Sequence, residues 1–409
     1  LGVQLAQAVL AGNRVTVKPS ELACETQGFL LDLAANAARD VGLPEELLRR
    51  TEATRDAGRD LLAGGGIDHV VFTGSTGVGR AIAEALAPRL VTSTLELSGR
   101  DSAFVLRDAD LKLAAKTIWW AVTTNAGQTC MAPRRALVHT SVYQAFLREL
   151  GLFAGGAVRR SLVSESAAAD VVRLAEEAAA CGARSLSGVL EPRRGRAVVP
   201  VAMVDCPPDA SLVEGDHFGP AIAVVPCDSE AAMLAIHNRC DQHLATSVFS
   251  KRPAAALDRL APYLHVRTVT ANNCIIPTAH PGVSIAGSGE SGWGASQGRD
   301  GLLALTAGVN VSTTSPVFRP PLDAPHPSRV DGMARMFVRL LGGVRHRAKA
   351  PEVIRVGPAV GTAAGTAEDS GSQAASEAAP VATAGGQRRV ETKIKHTSAE
   401  TTQPAGASE

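Results

Sequence analysis

Short β-branched runs alternate with Ala-rich stretches of helical period from residue 13 to residue 90, and few folds tolerate that alternation. "NRVTVKPS" reads as a strand ending at a proline and "ELACETQGFLLDLAANAARDVG" as a helix stopped by glycine. "IDHVVFTGS" reads as a second strand and "GVGRAIAEALAPRL" as a second helix. Strand, helix, strand, helix implies a parallel α/β sheet, because parallel neighbours need a crossover. A further α/β segment repeats the pattern. It has a helix in "AAADVVRLAEEAAACGA", strands in "RAVVPVAMV" and "PAIAVVP", a helix in "SEAAMLAIHNRC", and strands in "ATSVFS" and "HVRTVTA". The Gly-rich "AGSGESGWGASQGRDG" follows.

At 409 residues the chain is long enough for two or three cores. Its 41 basic and 40 acidic side chains leave no global field to draw nucleic acid or anionic lipid, so a small molecule or a protein is the expected partner. Seven scattered cysteines show no Cys-x-x-Cys pair and no zinc spacing, which points to a reducing, cytoplasmic setting without structural metal. No apolar run approaches the roughly 20 residues of a membrane span, and the opening "LGVQLAQAVLAG" lacks the basic flank and cleavage motif of a leader. Because the chain opens on Leu, a natural start upstream is expected.

The composition changes near residue 346 to Ala, Gly, Ser, Thr, Glu and Pro without aromatics, and a disordered tail is expected over 346–409. Before it, "DGMARMFVRLLGGVRHRAK" sets Met333, Met336, Phe337, Leu340, Leu341 and Val344 at helical spacing among Arg335, Arg339, Arg345 and Arg347. Such a basic amphipathic helix touches a membrane surface or a partner, or simply docks on its own domain.

Cys130 follows a turn-rich stretch, "TTNAGQTCMAPR", that suits a sulfur held at a cleft. A lone cysteine is more often a buried apolar residue, and Glu96 taken alone is an ordinary carboxylate at a strand end. The order of the motifs changes both readings. "KPSE" (18–21), "FTGSTGVG" (72–79), "LELSGR" (95–100), "NAGQTC" (125–130) and "FGP" (218–220) succeed one another at intervals that resemble the aldehyde dehydrogenase superfamily, over about residues 1–310.

The resemblance implies a Rossmann-type cofactor domain over 1–97 with its N-terminal part missing, and a second α/β catalytic domain over 98–310. An extension with the amphipathic helix (311–345) and the tail would follow. It implies Cys130 as the nucleophile, forming a thiohemiacetal and then a thioester, and Glu96 as the base that activates the hydrolytic water. A retained Glu96 argues against transfer of the thioester to coenzyme A. Cofactor contacts carry over to Lys18, Ser20 and Glu21; to Phe72, Thr73, Gly74, Ser75 and Val78; to Leu97; and to Asp216 and Phe218. A carboxylate at Glu21 favours NAD over NADP, with NADP still allowed. The substrate is an aldehyde, and the family analogy adds a homodimer.

"GSGESGWGASQG" has Gly289 where most members carry lysine. With "CMAP" (130–133) and "VTANN" (269–273) it resembles the class 3 branch, which takes medium-chain and aromatic aldehydes. Several positions depart from the family pattern. Asp216 stands where the family has Glu, Ser98 and Arg100 where it has Gly and Lys, and "SIAG" where it has "PFGG". No Trp-Asn-Phe-Pro segment with the oxyanion asparagine is visible, a donor whose removal costs about 10²- to 10³-fold in turnover elsewhere. The missing N-terminal segment, Asp216 and the long tail motivate an alternative, a catalytically impaired relative serving as a binding or assembly subunit. A thiol hydrolase is a further reading, although no His is spaced to suggest a Cys/His pair.

Overall fold

The computed structural model describes residues 1–276, 280, 282–313, 331–332 and 334–336. Of the expected amphipathic helix, residues 331–332 and 334–336 are helical; the remainder of that helix and the expected tail lie outside the described residues. The unit Leu1–Thr313 is compact by itself.

Its first part runs α1 (Gly2–Leu10), β1 (Val15–Val17), α2 (Cys24–Asp40), β2 (Leu48–Arg50), α3 (Arg55–Ala63), β3 (His69–Thr73), α4 (Thr76–Leu86) and β4 (Thr92–Glu96). Strands β1 and β2 pair in parallel, and so do β3 and β4. Helix α4 lies so close to the end of β4 that a β-carbon on Gly79 would run into Leu97, and Ile82, Leu86 and Leu95 complete a small core there.

Next come β5 (Ser102–Val105), α5 (Leu111–Thr123), β6 (Arg135–His139), α6 (Thr140–Ala154), β7 (Arg160–Ser161), α7 (Glu165–Ala180) and β8 (Arg184–Ser185). Then follow β9 (Ala197–Val198), β10 (Val201–Val204), α8 (Ser211–Glu214), β11 (Ala221–Cys227), α9 (Glu230–His237) and β12 (Gln242–His243). The last elements are β13 (Ala245–Phe249), α10 (Pro253–Leu260), β14 (Thr268–Ala271), β15 (Ser288–Gly289), β16 (Gly292–Trp293) and α11 (Gly298–Leu303).

Seven of these strands form one sheet in the order β14-β13-β5-β6-β11-β10-β8, parallel except for β8. Alternate residues of β5 feed opposite faces. Phe104 joins a core with Leu137, Val171, Leu174, Met203 and Leu260, while Ala103 and Val105 join Ile118, Trp119, Phe146 and Leu150. A sheet covered on both sides needs near-continuous apolar strands, which is what β5, β6 and β11 are. The expected single strand "RAVVPVAMV" is broken at Pro200, whose ring nitrogen cannot donate to a ladder. Its two pieces enter different sheets, β9 pairing with β7 and β10 with β11. The chain is an α/β protein, as its alternation predicts.

Candidate active site

Glu96 is the last residue of β4. Register sets it beside Thr73 of β3 on one side and Gly292 of β16 on the other. Thr73 Oγ1 donates to Glu96 Oε2 at 3.3 Å, and the Gly74 N–H donates to the Glu96 carbonyl at 3.0 Å. Glu96 Oε1 is buried without a partner. Burial raises the carboxyl above its ordinary range, and the Thr73 hydroxyl opposes that shift. Parallel pairing thus brings two motifs distant in sequence, "FTGS" and "LEL", to one strand end.

The chain turns there into α4. Ser75 caps the helix without a side-chain hydrogen bond, so no side chain fills the first-turn N–H groups. Gly74 is bare beside the Phe72 ring, which a β-carbon would approach to 2.5 Å. Val78 is exposed on the first turn and Leu97 is buried behind it. Backbone donors, a positive helix end and close access to the main chain suit a phosphate.

The cysteine loop is strained. Asn125 (φ 50°), Ala126 (φ 55°) and Gly127 (φ 73°) are consecutive left-handed residues, and the first two are not glycine. Asn125 Nδ2 donates to the Gln128 carbonyl at 3.0 Å, and Gln128 Nε2 returns a bond to the Asn125 carbonyl at 3.2 Å. Gly127 is obligatory on a second ground, since a β-carbon there would strike the Gly219–Pro220 backbone. "NAGQTC" and "FGP" therefore meet in space. Cys130 beyond the loop is half-buried, with its thiol pushed up to about 11 by burial, then by the charges of Asp101 and Glu96; the Met131 amide and Arg134 act in the opposite sense.

Asp216 and Phe218 reach the same region. Gln242 Nε2 donates to Thr76 Oγ1 at 3.0 Å and to Asp216 Oδ2 at 3.5 Å, while Arg100 Nε donates to Gln242 Oε1 at 3.0 Å. Phe218 is partly exposed, and the Arg134 guanidinium carbon lies 5.8 Å from its ring centre. Lys18 and Glu21 form an ion pair beyond β1, and the pairing lowers the Glu21 carboxyl. The Ser20 N–H donates to Gln27 Oε1 at 2.8 Å. Among the described residues no side-chain hydrogen bond joins Lys18, Ser20 or Glu21 to the β3–α4 turn.

Three residues of the cluster escape a reading by motif: Asp101, Arg134 and Gln242. Asp101 is buried, accepts the Leu244 and Ala245 N–H groups on Oδ1 at 3.3 and 2.8 Å, and leaves Oδ2 unpartnered. Burial lifts its carboxyl to about 7. Its position directly after "LELSGR" was the one available signal. Among the described residues no group of His, Cys, Asp and Glu is arranged to hold a metal.

An aldehyde dehydrogenase family model matches residues 1–311. A benzaldehyde dehydrogenase [NAD(+)] of Pseudomonas putida is 32% identical over 301 residues, covering 71% of this chain and 60% of its own length. The dimeric NADP-preferring aldehyde dehydrogenase of Mus musculus is 28% identical over 71% of this chain and 64% of its own length. Among solved structures, a Mycobacterium tuberculosis aldehyde dehydrogenase complexed with NAD+ superposes with a TM-score of 0.66 at 28% identity, over 74% of this chain and 64% of that one. An NADP-dependent glyceraldehyde-3-phosphate dehydrogenase of Bacillus halodurans C-125, complexed with NADP, gives 0.68 at 29% identity over 75% and 64%. The chain spans about three-fifths of the length of the curated relatives it matches.

Proposed function

This chain belongs to the aldehyde dehydrogenase family, and from that premise we propose that it oxidises an aldehyde to a carboxylic acid at Cys130, with NAD or NADP as the acceptor. The observation that carries the reading is convergence: a β-carbon on Gly99, just beyond Glu96, would lie 3.0 Å from the Cys130 carbonyl oxygen, so the segment that follows β4 meets the cysteine loop although Glu96 and Cys130 arrive on different elements.

The residues present fit a dinucleotide. First-turn amides of α4 without a side-chain cap, the bare Gly74 backbone and the exposed Val78 surface would receive its phosphates and their neighbourhood. The exposed Phe218 ring and Asp216 would hold the nicotinamide end, and Lys18 with Glu21 the adenosine ribose. When bound, the nicotinamide supplies the hydride acceptor that converts a thiohemiacetal into a thioester.

The chain's own groups do the rest. Cys130 must lose its proton, and its sulfur then adds to the aldehyde carbon as the carbonyl oxygen takes negative charge. After oxidation, Glu96 removes a proton from water as that water attacks the thioester, releasing the acid and restoring the thiol. A carboxyl raised by burial is a stronger base once ionised, so hydrolysis speeds up as pH rises through its titration. We assign residues 1–97, which also carry Glu96, to a cofactor-binding domain and 98–310, which also carry Asp216 and Phe218, to a catalytic domain, in a cytoplasmic homodimer. The seven free cysteines support a reducing compartment, and the family analogy supports the dimer. The class 3 likeness of "GSGESGWG" supports an aromatic or medium-chain aldehyde.

The test is reduction of NAD with benzaldehyde, followed at the reduced-nicotinamide absorbance. Cys130→Ala abolishes it; Glu96→Gln keeps a first-turnover burst and lowers steady turnover about 10²- to 10⁴-fold. A folded wild-type chain that binds NAD and reduces none of it supports the second reading, a binding or assembly subunit. Asp216 motivates that reading: it is one methylene shorter than the family's Glu and already shares Gln242.

A further inference from the structure

Two arginines follow the cysteine loop, and both are almost fully buried, at 1% exposure. Neither has a carboxylate within ion-pair distance among the described residues. A buried cation persists only where other oxygens or charges replace its water. For Arg135 the replacement is architectural. Its Nη1 donates to the Ile236 carbonyl at 3.2 Å and its Nη2 to the Arg100 carbonyl at 2.5 Å, tying the end of α9 to the start of β6.

Arg134 differs, because the hydrogen bonds of its side chain all go to segments of the candidate site. Nη1 donates to the carbonyls of Gly127 at 2.9 Å and Gly219 at 3.0 Å, and Nη2 to that of Thr129 at 3.2 Å. Its guanidinium carbon is the cation over the Phe218 ring. Nε remains buried and unpartnered. The three carbonyls come from two segments, the strained loop that delivers Cys130 and the turn that follows Phe218. Nη1 by itself bridges the two segments and Nη2 adds a second bond to the loop, so the planar guanidinium holds them in one geometry.

We propose that Arg134 is a positioning residue: its fork fastens the Cys130 loop to the Phe218–Gly219 turn, and its positive charge bears on the sulfur that the loop presents. The inference rests on Cys130 being the nucleophile of the preceding section, and it adds a residue that the family motifs do not mark.

The electrostatic half follows from who faces whom. Asp101, Glu96 and Arg134 are the charged groups that act on the sulfur. Asp101, Asp216 and the Cys130 thiol in turn act on Arg134. His217, fully buried with both ring nitrogens unpartnered, is kept neutral by burial and by Arg134. A β-carbon on Gly99 would meet the Cys130 carbonyl oxygen at 3.0 Å and Asp101 Oδ2 at 3.2 Å, so the loop and this carboxyl border the same residue. Two carboxyl groups and burial disfavour the thiolate, and Arg134 is the side-chain cation that opposes them. Without it, the Met131 N–H is what remains to oppose Asp101 and Glu96.

A charge role and a purely structural role predict opposite signs. Loosening the loop exposes Cys130 and speeds its alkylation; removing the charge lowers the thiolate fraction and slows it. The experiment is the rate of Cys130 alkylation by iodoacetamide, a neutral reagent, from pH 7 to pH 9. It is read by mass spectrometry on the Cys130 peptide, because Cys24 and Cys181 are exposed as well. In Arg134→Gln the rate at pH 8 falls about tenfold or more, the consequence of losing an opposite charge close to an ionising group. In Arg134→Lys, which keeps a cation and breaks the fork, it stays within about threefold of wild type. A folded Arg134→Gln protein that alkylates at the wild-type rate or faster overturns the proposal. If Arg134→Gln does not fold, Arg134→Lys decides, and a tenfold loss there overturns it. Turnover of benzaldehyde is measured on the same samples. Slowed alkylation without turnover in any sample removes the proposed reaction and leaves Arg134 as assigned, whereas turnover with unslowed alkylation in Arg134→Gln does the reverse.

Discussion

Asp101 shows how one buried carboxyl carries a pH dependence of its own. Its folded value of about 7 exceeds the ordinary 3.8, so the folded chain retains a proton that the unfolded chain has already released. The stability it contributes is fully present below about pH 4 and is lost as pH rises through about 7. A displacement of that size corresponds to a few kcal/mol. Asp101→Asn keeps an acceptor for the Leu244 and Ala245 N–H groups and cannot ionise. Its melting temperature relative to wild type is expected to climb between pH 4 and pH 8, as read by calorimetry; parallel curves for the two proteins would exclude the assignment. At this scale the motifs make Cys130, Glu96 and Gly127 readable, because each is a residue type with a chemical or conformational task. Arg134 escapes a reading by pattern for the opposite reason. Arginine belongs on surfaces by default, and only the three carbonyls gathered around it make its burial acceptable.

At the scale of elements, the placement of the Glu96 carboxylate, proposed as the base, depends on a strand two residues long. β16 pairs antiparallel with β4, putting Gly292 opposite Glu96, and the Leu97 N–H donates to the Ser291 carbonyl at 3.1 Å. Gly292 sits at φ 95°, and a β-carbon there would meet the Leu95 carbonyl. Gly292→Ala is expected to cost roughly 2 kcal/mol or more and to release β16. Hydrogen exchange at the Leu97 amide would accelerate and the melting temperature would fall; an unchanged Leu97 amide would mean that β16 does not hold this end of β4. Periodicity locates α2, α4, α7 and α9 and strands β1, β3, β11, β13 and β14, since long amphipathic or wholly apolar runs have few alternatives. It cannot tell that Pro200 sends β9 and β10 to different sheets, because that depends on partners far away in sequence.

For the molecule as a whole, the two-faced sheet is the main stabilising body, and it lies within the compact unit Leu1–Thr313. A chain ending at Thr313 is therefore expected to fold, to melt cooperatively within a few degrees of the full chain, and to keep the Cys130 alkylation profile. A non-cooperative melt of that shorter chain would refute the expectation. The order of residues alone settles the α/β class and the family and nominates the groups proposed for aldehyde chemistry, because local periodicity and motif spacing are properties of the chain itself. Packing alone settles which of those groups meet. Strand register carries Glu96 to Thr73 and Gly292, the left-handed loop brings Gly127 against Gly219, and Asp101 and Arg134 are enclosed beside Cys130. Burial and the nearness of charges depend on contacts between segments far apart in the chain, so they exist only once the chain has closed on itself.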